Sequence, residues 1–299
     1  MTKVTALAEA VASIPSGAHV SLSGFATARC AMAFAHEAIR QGIKNLTISQ
    51  SVGAMDADML AGAGAVERII YGGGSRGRTG PHYCLNRHIE NGTIIAEELS
   101  SLSISFRYLA GALGLPFIPI RSLSGSDTLK RLKEVAPSVV SAIVDPFTND
   151  EWLVLKPLTP DVAVVQVQAA DDEGNAWILG PTWDNQDQVK SSERAIVITE
   201  RLIPTELIRR DPGRTTIPGF RVSHVVHLPF AAHPSSVYHV YDFDADHIDL
   251  YARASKTPEG FQEYLDKYVY GAKDHWEYLE LIGGMKHLNN LIADPLLGY

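Results

Sequence analysis

The stretch Tyr71 to Gly80, YGGGSRGRTG, follows the apolar run VERII and concentrates groups that could do chemistry. Gly72, Gly73 and Gly74 let a ligand approach the backbone, Ser75 adds a hydroxyl, and Arg76 and Arg78 add two guanidinium forks suited to a carboxylate. Two enzyme patterns fit the same residues. Gly72 to Gly77 reads G-x-G-x-x-G, a dinucleotide-binding fingerprint, and Gly73 to Gly77 reads G-x-S-x-G, a nucleophile elbow centred on Ser75. The first is helped by Glu97, 20 positions after Gly77, where a ribose-binding acid belongs. Both patterns need a helix that opens within the glycine motif, so that its first amides face the pyrophosphate or lie beside the nucleophile. Here Arg78-Thr79-Gly80 intervenes and the helix is expected to begin at Pro81. The loop also follows the third expected strand, whereas the dinucleotide fingerprint belongs after the first.

Metal chemistry finds little support in local spacing. His224 and His227 stand three apart in RVSHVVHL, a strand pattern that sends them to opposite faces, and no H-E-x-x-H occurs. The two cysteines, Cys30 and Cys84, are far apart and outside any C-x-x-C context, which fits a reducing compartment. No metal is expected.

These residues need elements to hold them. Residues 4 to 120 alternate apolar runs with helical patterns: HVSLSG, a helix from Cys30 to Gln41, NLTISQ, a helix over 55–63, VERIIY, a helix over 82–90, TIIA, and a long helix over 100–113. The grammar resumes with DVAVVQVQAA, the turn DDEGN, AWILG, RAIVITE, the helical TELIRR and RVSHVVHL. Alternation of this kind predicts an α/β protein with a doubly wound, mostly parallel sheet and flanking helices. Gly42, Gly92 and Gly114 are placed as helix C-caps, and Thr257-Pro258 as the start of a helix that Gly271 ends. Residues 122–160, rich in Ser, Pro and Asp, read as an irregular excursion from a single domain spanning 1–299.

Bulk composition removes several function classes. At 299 residues the chain can bury a large core without disulfides or metals. No run of 18 apolar residues is present and the N-terminus lacks the pattern of a signal peptide, so a cytoplasmic protein without a membrane partner is expected. A net charge of −8, from 34 acidic against 26 basic residues with no basic stripe, argues against nucleic acid.

Several segments taken together resemble one family: SGAHVSLSGFATARCAM, QGIKNLTIS, LAGALGLPFIP, RRDPGRTTIPGF, AAHPSS, YDFD, SKTPE and KDHWEYL. The chain is similar to the α (A) subunit of class I CoA-transferases, most of all in the glutaconate branch. The similarity runs through nearly the whole sequence in order. It implies a coenzyme A thioester as substrate, no permanently bound cofactor, and a B (β) subunit carrying the nucleophilic glutamate in a hetero-oligomer such as A2B2 or A4B4. Glu90-Asn91-Gly92 mimics that nucleophile motif, but it reads as an ordinary helix end in a chain expected to lack the nucleophile. The same scaffold without the partner's glutamate would be a thioester hydrolase, ring-opening enzyme or decarboxylase; a dinucleotide-binding module is the more distant alternative.

Carried onto this sequence, the family's G-G-F oxyanion turn falls on Ser23-Gly24-Phe25, with serine where the family has its first glycine. Arg29 stands where the glutaconate branch also places an arginine. The loop after the third strand, with Gly73, Gly74, Ser75, Arg76 and Arg78, would face the substrate cleft or pair with the B chain, and a dicarboxylate or other carboxylated acyl group would suit it. The glutaconate branch has a hydroxyl-rich loop without arginine there, so the acyl group is left open. Glu98 at the end of the fourth strand is a candidate acid or base, unless it pairs with Arg107. Arg107 and Arg121 are candidates for the acyl carboxylate or the CoA phosphates. The turn His233-Pro234-Ser235 is expected at the contact with the partner.

Overall fold

The computed structural model describes residues 2–74, 80–294 and 296–297. Ser75, Arg76 and Arg78 therefore lie outside the described residues. Among those described, eleven strands form two sheets. The larger contains β1 (His19–Leu22), β2 (Leu46–Gln50), β3 (Val66–Tyr71), β4 (Ile95–Glu98), β8 (Val162–Ala170), β9 (Ala176–Trp177), β10 (Arg194–Leu202) and β11 (Val222–His227). The smaller contains β5 (Ile118–Ile120), β6 (Val140–Val144) and β7 (Glu151–Leu155).

Strand order in the large sheet is β11-β10-β8-β1-β2-β3-β4, all parallel, with the short β9 antiparallel to β8. The chain winds outward from β1 to β4, then returns to the other side of β1 and winds outward again through β8. That reversal opens a crevice between β1 and β8 at their carboxyl ends, the place where open α/β sheets bind ligands. All nine residues of β8 are buried, which is why DVAVVQVQAA reads as a nearly continuous apolar run rather than an alternating one.

Each face of the sheet packs a different layer. Val20, Leu22, Ile48, Ile69, Val164 and Ile198 meet the helices Met32–Arg40 and Met55–Gly62 and the C-terminal helices in one continuous core. On the opposite face, Ala163, Val165 and Val197 build a second cluster, while Ile70 joins Ile104 and Tyr108 of the helix Ser101–Leu113 in a third. The caps work as the sequence implies: Gly42, Gly92 and Gly114 have φ of 69°, 71° and 68°, and Thr257 caps the amide of Gly260.

Residues 122–160 are more regular than their composition suggests. Ser126 caps the helix Asp127–Val135, and β6 and β7 pair antiparallel with each other and β7 with β5. The Ser, Pro and Asp that read as irregularity are the caps and turns between these short elements. Gly271 ends its helix in a right-handed rather than left-handed conformation, after a π-helical stretch Asp266–Tyr270. No helix among the described residues is long and apolar enough to cross a membrane.

Candidate active site at the β1–β8 crevice

At the end of β1 the chain turns sharply. Gly24 has φ +105°, and a Cβ there would lie 2.9 Å from the carbonyl oxygen of Arg29 and 3.0 Å from that of Ala28. Only glycine satisfies both the angle and the space. The turn is closed by reciprocal backbone bonds between Phe25 and Ala28, 2.9 and 3.0 Å. These bonds narrow the expected oxyanion role: the amide of Phe25 donates to Ala28 and that of Ser23 to Val164, leaving Gly24 as the residue of the three whose amide has no hydrogen-bond partner among the described residues.

Ser23, a candidate for binding substrate, has its hydroxyl engaged within the fold. Its buried hydroxyl accepts from the amide of Gln166 in β8 and donates to the carbonyl of Arg29, both at 3.0 Å. Its φ is not positive, so serine costs no backbone strain where the family has glycine. The hydroxyl ties β1, β8 and the loop together.

Arg29 is 2% exposed, with φ +52°. Its guanidinium donates to the carbonyls of Pro181 (2.6 Å) and Gln166 (3.4 Å) and lies 4.7 Å from the centre of the Trp183 ring. Burial lowers its pKa to about 10, so it keeps its charge at neutral pH. Trp183 in turn stacks on Phe25 with centroids 5.2 Å apart and an interplanar angle of 17°. Arg29, Trp183, Ser236, Tyr238 and Asp242 line a cavity of about 230 Å³ beside this turn. An acyl chain with a polar end fits its mixed aromatic and charged lining.

Buried acids hold the loop in place. Asp56, in the first turn of its helix, accepts from the amide of Ala31 at 2.8 Å, and desolvation raises its pKa to about 6. Glu200 at the end of β10 accepts from Gln166 Nε2 (2.6 Å), Tyr241 Oη (2.8 Å) and the amide of Phe230 (2.7 Å), yet burial still pushes its pKa up to about 8. Asp184, also raised by burial, accepts from Ser105 Oγ at 3.2 Å. The turn after β11 completes the support: Ser235 Oγ accepts from the amide of Cys30 (3.0 Å), and the carbonyl of Ser236 accepts from the amide of Arg29 (2.8 Å). His233 and Ser235 are 1% and 4% exposed, so this turn props the loop from inside the chain rather than offering those side chains to a partner.

The glycine loop sits two strands away on the same edge. Gly74 bridges to Gly53, whose amide donates to the carbonyl of Gly73 at 2.9 Å. Glu98 is exposed beside them and accepts from Tyr71 Oη at 2.8 Å. Among the described residues the next helix is Tyr83–Glu90, and Glu97 is 5% exposed and paired with Arg68 at 2.8 Å. The acid of the dinucleotide reading is therefore buried and spent on an ion pair rather than offered to a ribose.

Two expected ligand-binding arginines lie elsewhere. Arg107 is buried, donating to the carbonyl of Lys156 at 2.8 Å and lying 3.6 Å from Glu97. Beside it in the same cavity stand His19 and Arg68, toward the starts of β1 and β3, so it belongs to the opposite end of the strands from the crevice. It pairs with Glu97 and not with Glu98. Arg121 is largely exposed on the small sheet, 4.3 Å from the Trp152 ring centre and 3.8 Å from Asp150. Glu90 is exposed in the last turn of its helix, a helix end as read from the sequence.

The sequence reading missed Trp183, Asp184, Asp56, Glu200 and Tyr238. A signal exists for the first two, since Gly180-Pro-Thr-Trp-Asp-Asn is an unusual place for a large aromatic next to an acid.

Comparison with known proteins decides the family. The coenzyme A transferase family model matches residues 4–228. The chain belongs to the coenzyme A transferase family. It is 36% identical to the A subunit of glutaconate CoA-transferase from Acidaminococcus fermentans over 100% of this chain and 97% of that protein. The crystal structure of glutaconate coenzyme A-transferase from the same organism superposes with a TM-score of 0.94 at 34% identity, covering 100% of this chain and 98% of that one. An Archaeoglobus fulgidus protein is 40% identical over 97% of this chain, which spans only 64% of that protein's length. The AibA/AibB decarboxylase structure matches with a TM-score of 0.73 and 30% identity, covering 89% of this chain and 100% of that one. Family members act on CoA thioesters, and the expected fold and A-subunit likeness hold across the whole length.

Proposed function

We propose that this chain is the A subunit of a two-chain, cytoplasmic CoA-transferase that moves CoA between carboxylic acids, one of them a dicarboxylate or other carboxylated acyl group. The observation that carries the reading is the Gly24 amide, left without a partner among the described residues at the topological switch beside the Arg29–Trp183 cavity. A glutamate on a partner B chain would attack the thioester carbonyl, and the Gly24 amide would donate to the oxygen on which charge develops. The mixed anhydride and then the glutamyl-CoA thioester would form on the partner, and the acceptor carboxylate would reverse the steps. This chain supplies the oxyanion donor, the acyl cavity and half of the cleft, with Gly73 and Gly74 on its far side; Ser75, Arg76 and Arg78, whose chemistry suits an acyl carboxylate, lie outside the described residues.

Trapping tests it directly. The complex purified under mild conditions, incubated with acyl-CoA and reduced with borohydride, is expected to carry the modification on a second chain of related fold. A modification on this chain, or full transferase activity from this chain alone, rules the reading out.

A decarboxylase reading is favoured by the AibA/AibB similarity and by Glu98, an exposed carboxylate on the cleft edge held by Tyr71. If Glu98 is the acid or base, Glu98→Gln should lower turnover by about 10²–10⁴. In the transferase reading the same change costs less than about tenfold.

A further inference from the structure

Three residues far from one another in sequence converge behind the active-site loop. His233 comes from the turn after β11, Asp244 caps the helix Ala245–Ala254, and His287 lies in the short helix Gly284–Leu288. Their ligating atoms, two imidazole nitrogens and a carboxylate oxygen, lie within 4.8 Å of one another. His233 Nε2 is 3.1 Å and His287 Nε2 2.6 Å from the same oxygen, Asp244 Oδ2.

We propose that His233, Asp244 and His287 form a binding site for a divalent first-row transition ion of the zinc type, which staples the C-terminal helices to the turn that supports the catalytic loop. Two imidazoles and one carboxylate are the donor set such ions prefer, whereas calcium and magnesium take oxygen ligands. Ligands about 2.0–2.2 Å from a tetrahedral zinc lie roughly 3.3 Å apart; the His233–Asp244 pair, at 3.1 Å, is already close to that, and the His287–Asp244 pair, at 2.6 Å, must open to admit the ion.

The surroundings are those of metal ligands already oriented from behind. Tyr278 Oη holds His233 Nδ1 at 2.7 Å, and the amide of His247 holds the other oxygen of Asp244 at 3.0 Å. Partners of this kind fix ring orientation and ligand basicity at metal centres. His233 and Asp244 are 1% and 4% exposed, which keeps them rigid. The side chain of His287 is 31% exposed, which gives the ion a route in and leaves its fourth position to water.

Binding would act on the site from the rear. His233 begins the turn whose Ser235 and Ser236 hold Cys30 and Arg29. The sequence reading could not see this cluster, because spacings of 11 and 43 residues match no local metal motif.

The test uses the full, untagged chain, stripped with chelator and then titrated with zinc chloride by calorimetry and with cobalt chloride by visible absorption. One equivalent of zinc is expected to bind and raise Tm, and one equivalent of cobalt to give the intense bands of tetrahedral coordination. His287→Ala, a part-exposed position whose loss the fold should tolerate, is expected to weaken binding by at least about tenfold and to abolish the Tm rise. Asp244→Asn should do the same. Equal binding by wild type and His287→Ala, or failure of the wild type to bind one equivalent, overturns the proposal.

Discussion

The carboxylate of Asp56 accepts a hydrogen bond from the backbone amide of Ala31 at 2.8 Å, joining the first turn of one helix to the residue that leads into another. Both partners are fully buried, so no water can replace the bond. Asp56→Ala would orphan the Ala31 amide at a cost of about 1–3 kcal/mol. A lower midpoint in urea unfolding, together with a fall in turnover as the Gly24–Cys30 loop loses its anchor, is the expected result. Unchanged stability would show that the loop is held from the β8 side alone.

Gly24→Ala attacks the same loop from within. The added methyl meets the carbonyls of Ala28 and Arg29 at 3.0 and 2.9 Å, at a φ of +105° that alanine avoids. The backbone must shift, at about 1–3 kcal/mol. If the Gly24 amide is the oxyanion donor, kcat for CoA transfer should fall by about 10²–10³ while KM changes little. Steady-state kinetics of the two-chain complex check this, and a pure KM effect would assign the turn to substrate binding instead.

Arg107 and Glu97 offer the opposite case, a buried charge pair remote from the crevice. Arg107→Met leaves Glu97, with a side chain only 6% exposed, relying on Arg68. A loss of about 3–5 kcal/mol in stability is expected, at the lower end because Arg68 remains. The variant's kcat/KM, measured below its unfolding temperature, should stay within about twofold of wild type. A large rise in KM with normal stability would return Arg107 to the substrate site.

Glu200 sets a pH dependence. Folding raises its pKa from the ordinary value of 4.5 to about 8, with burial as the largest cause and the hydrogen bonds from Tyr241, Phe230 and Gln166 opposing it. Between those values the folded chain holds a proton that the unfolded chain releases, so this group's contribution to stability falls as pH rises from about 4.5 to 8. Glu200→Gln should flatten that part of the profile in urea titrations across the window. A wild-type profile that rises with pH there, and is unchanged in the variant, would place the carboxylate in its ionised form throughout.

Much of the framework was legible from sequence. Runs such as NLTISQ and VERIIY specify strands by their own β-branched and apolar content, and Gly42, Gly92 and Gly114 end helices because a left-handed residue is needed there. These signals act within a few residues. Gly24, Phe25 and Arg29 were found through family resemblance, and the fold brings them together at the crevice. Residues 122–160 misled because short caps and turns dominate their composition.

The order of elements outside residues 122–160, and the parallel winding that follows from their alternation, were thus written in local pattern, and the loops proposed to carry the chemistry were marked by resemblance. Which acid meets which arginine was settled only by packing, since Glu97 and Glu98 point to opposite faces of one strand and find Arg107 and Tyr71 respectively. Packing likewise has the hydroxyl of Ser23 bridge two strands, spends the amide of Phe25 on Ala28, and brings His233, Asp244 and His287 together at all. The difference is one of range. Propensity and periodicity are fixed by neighbours along the chain, whereas hydrogen-bond partners and burial are fixed by contacts between segments that lie tens to hundreds of residues apart.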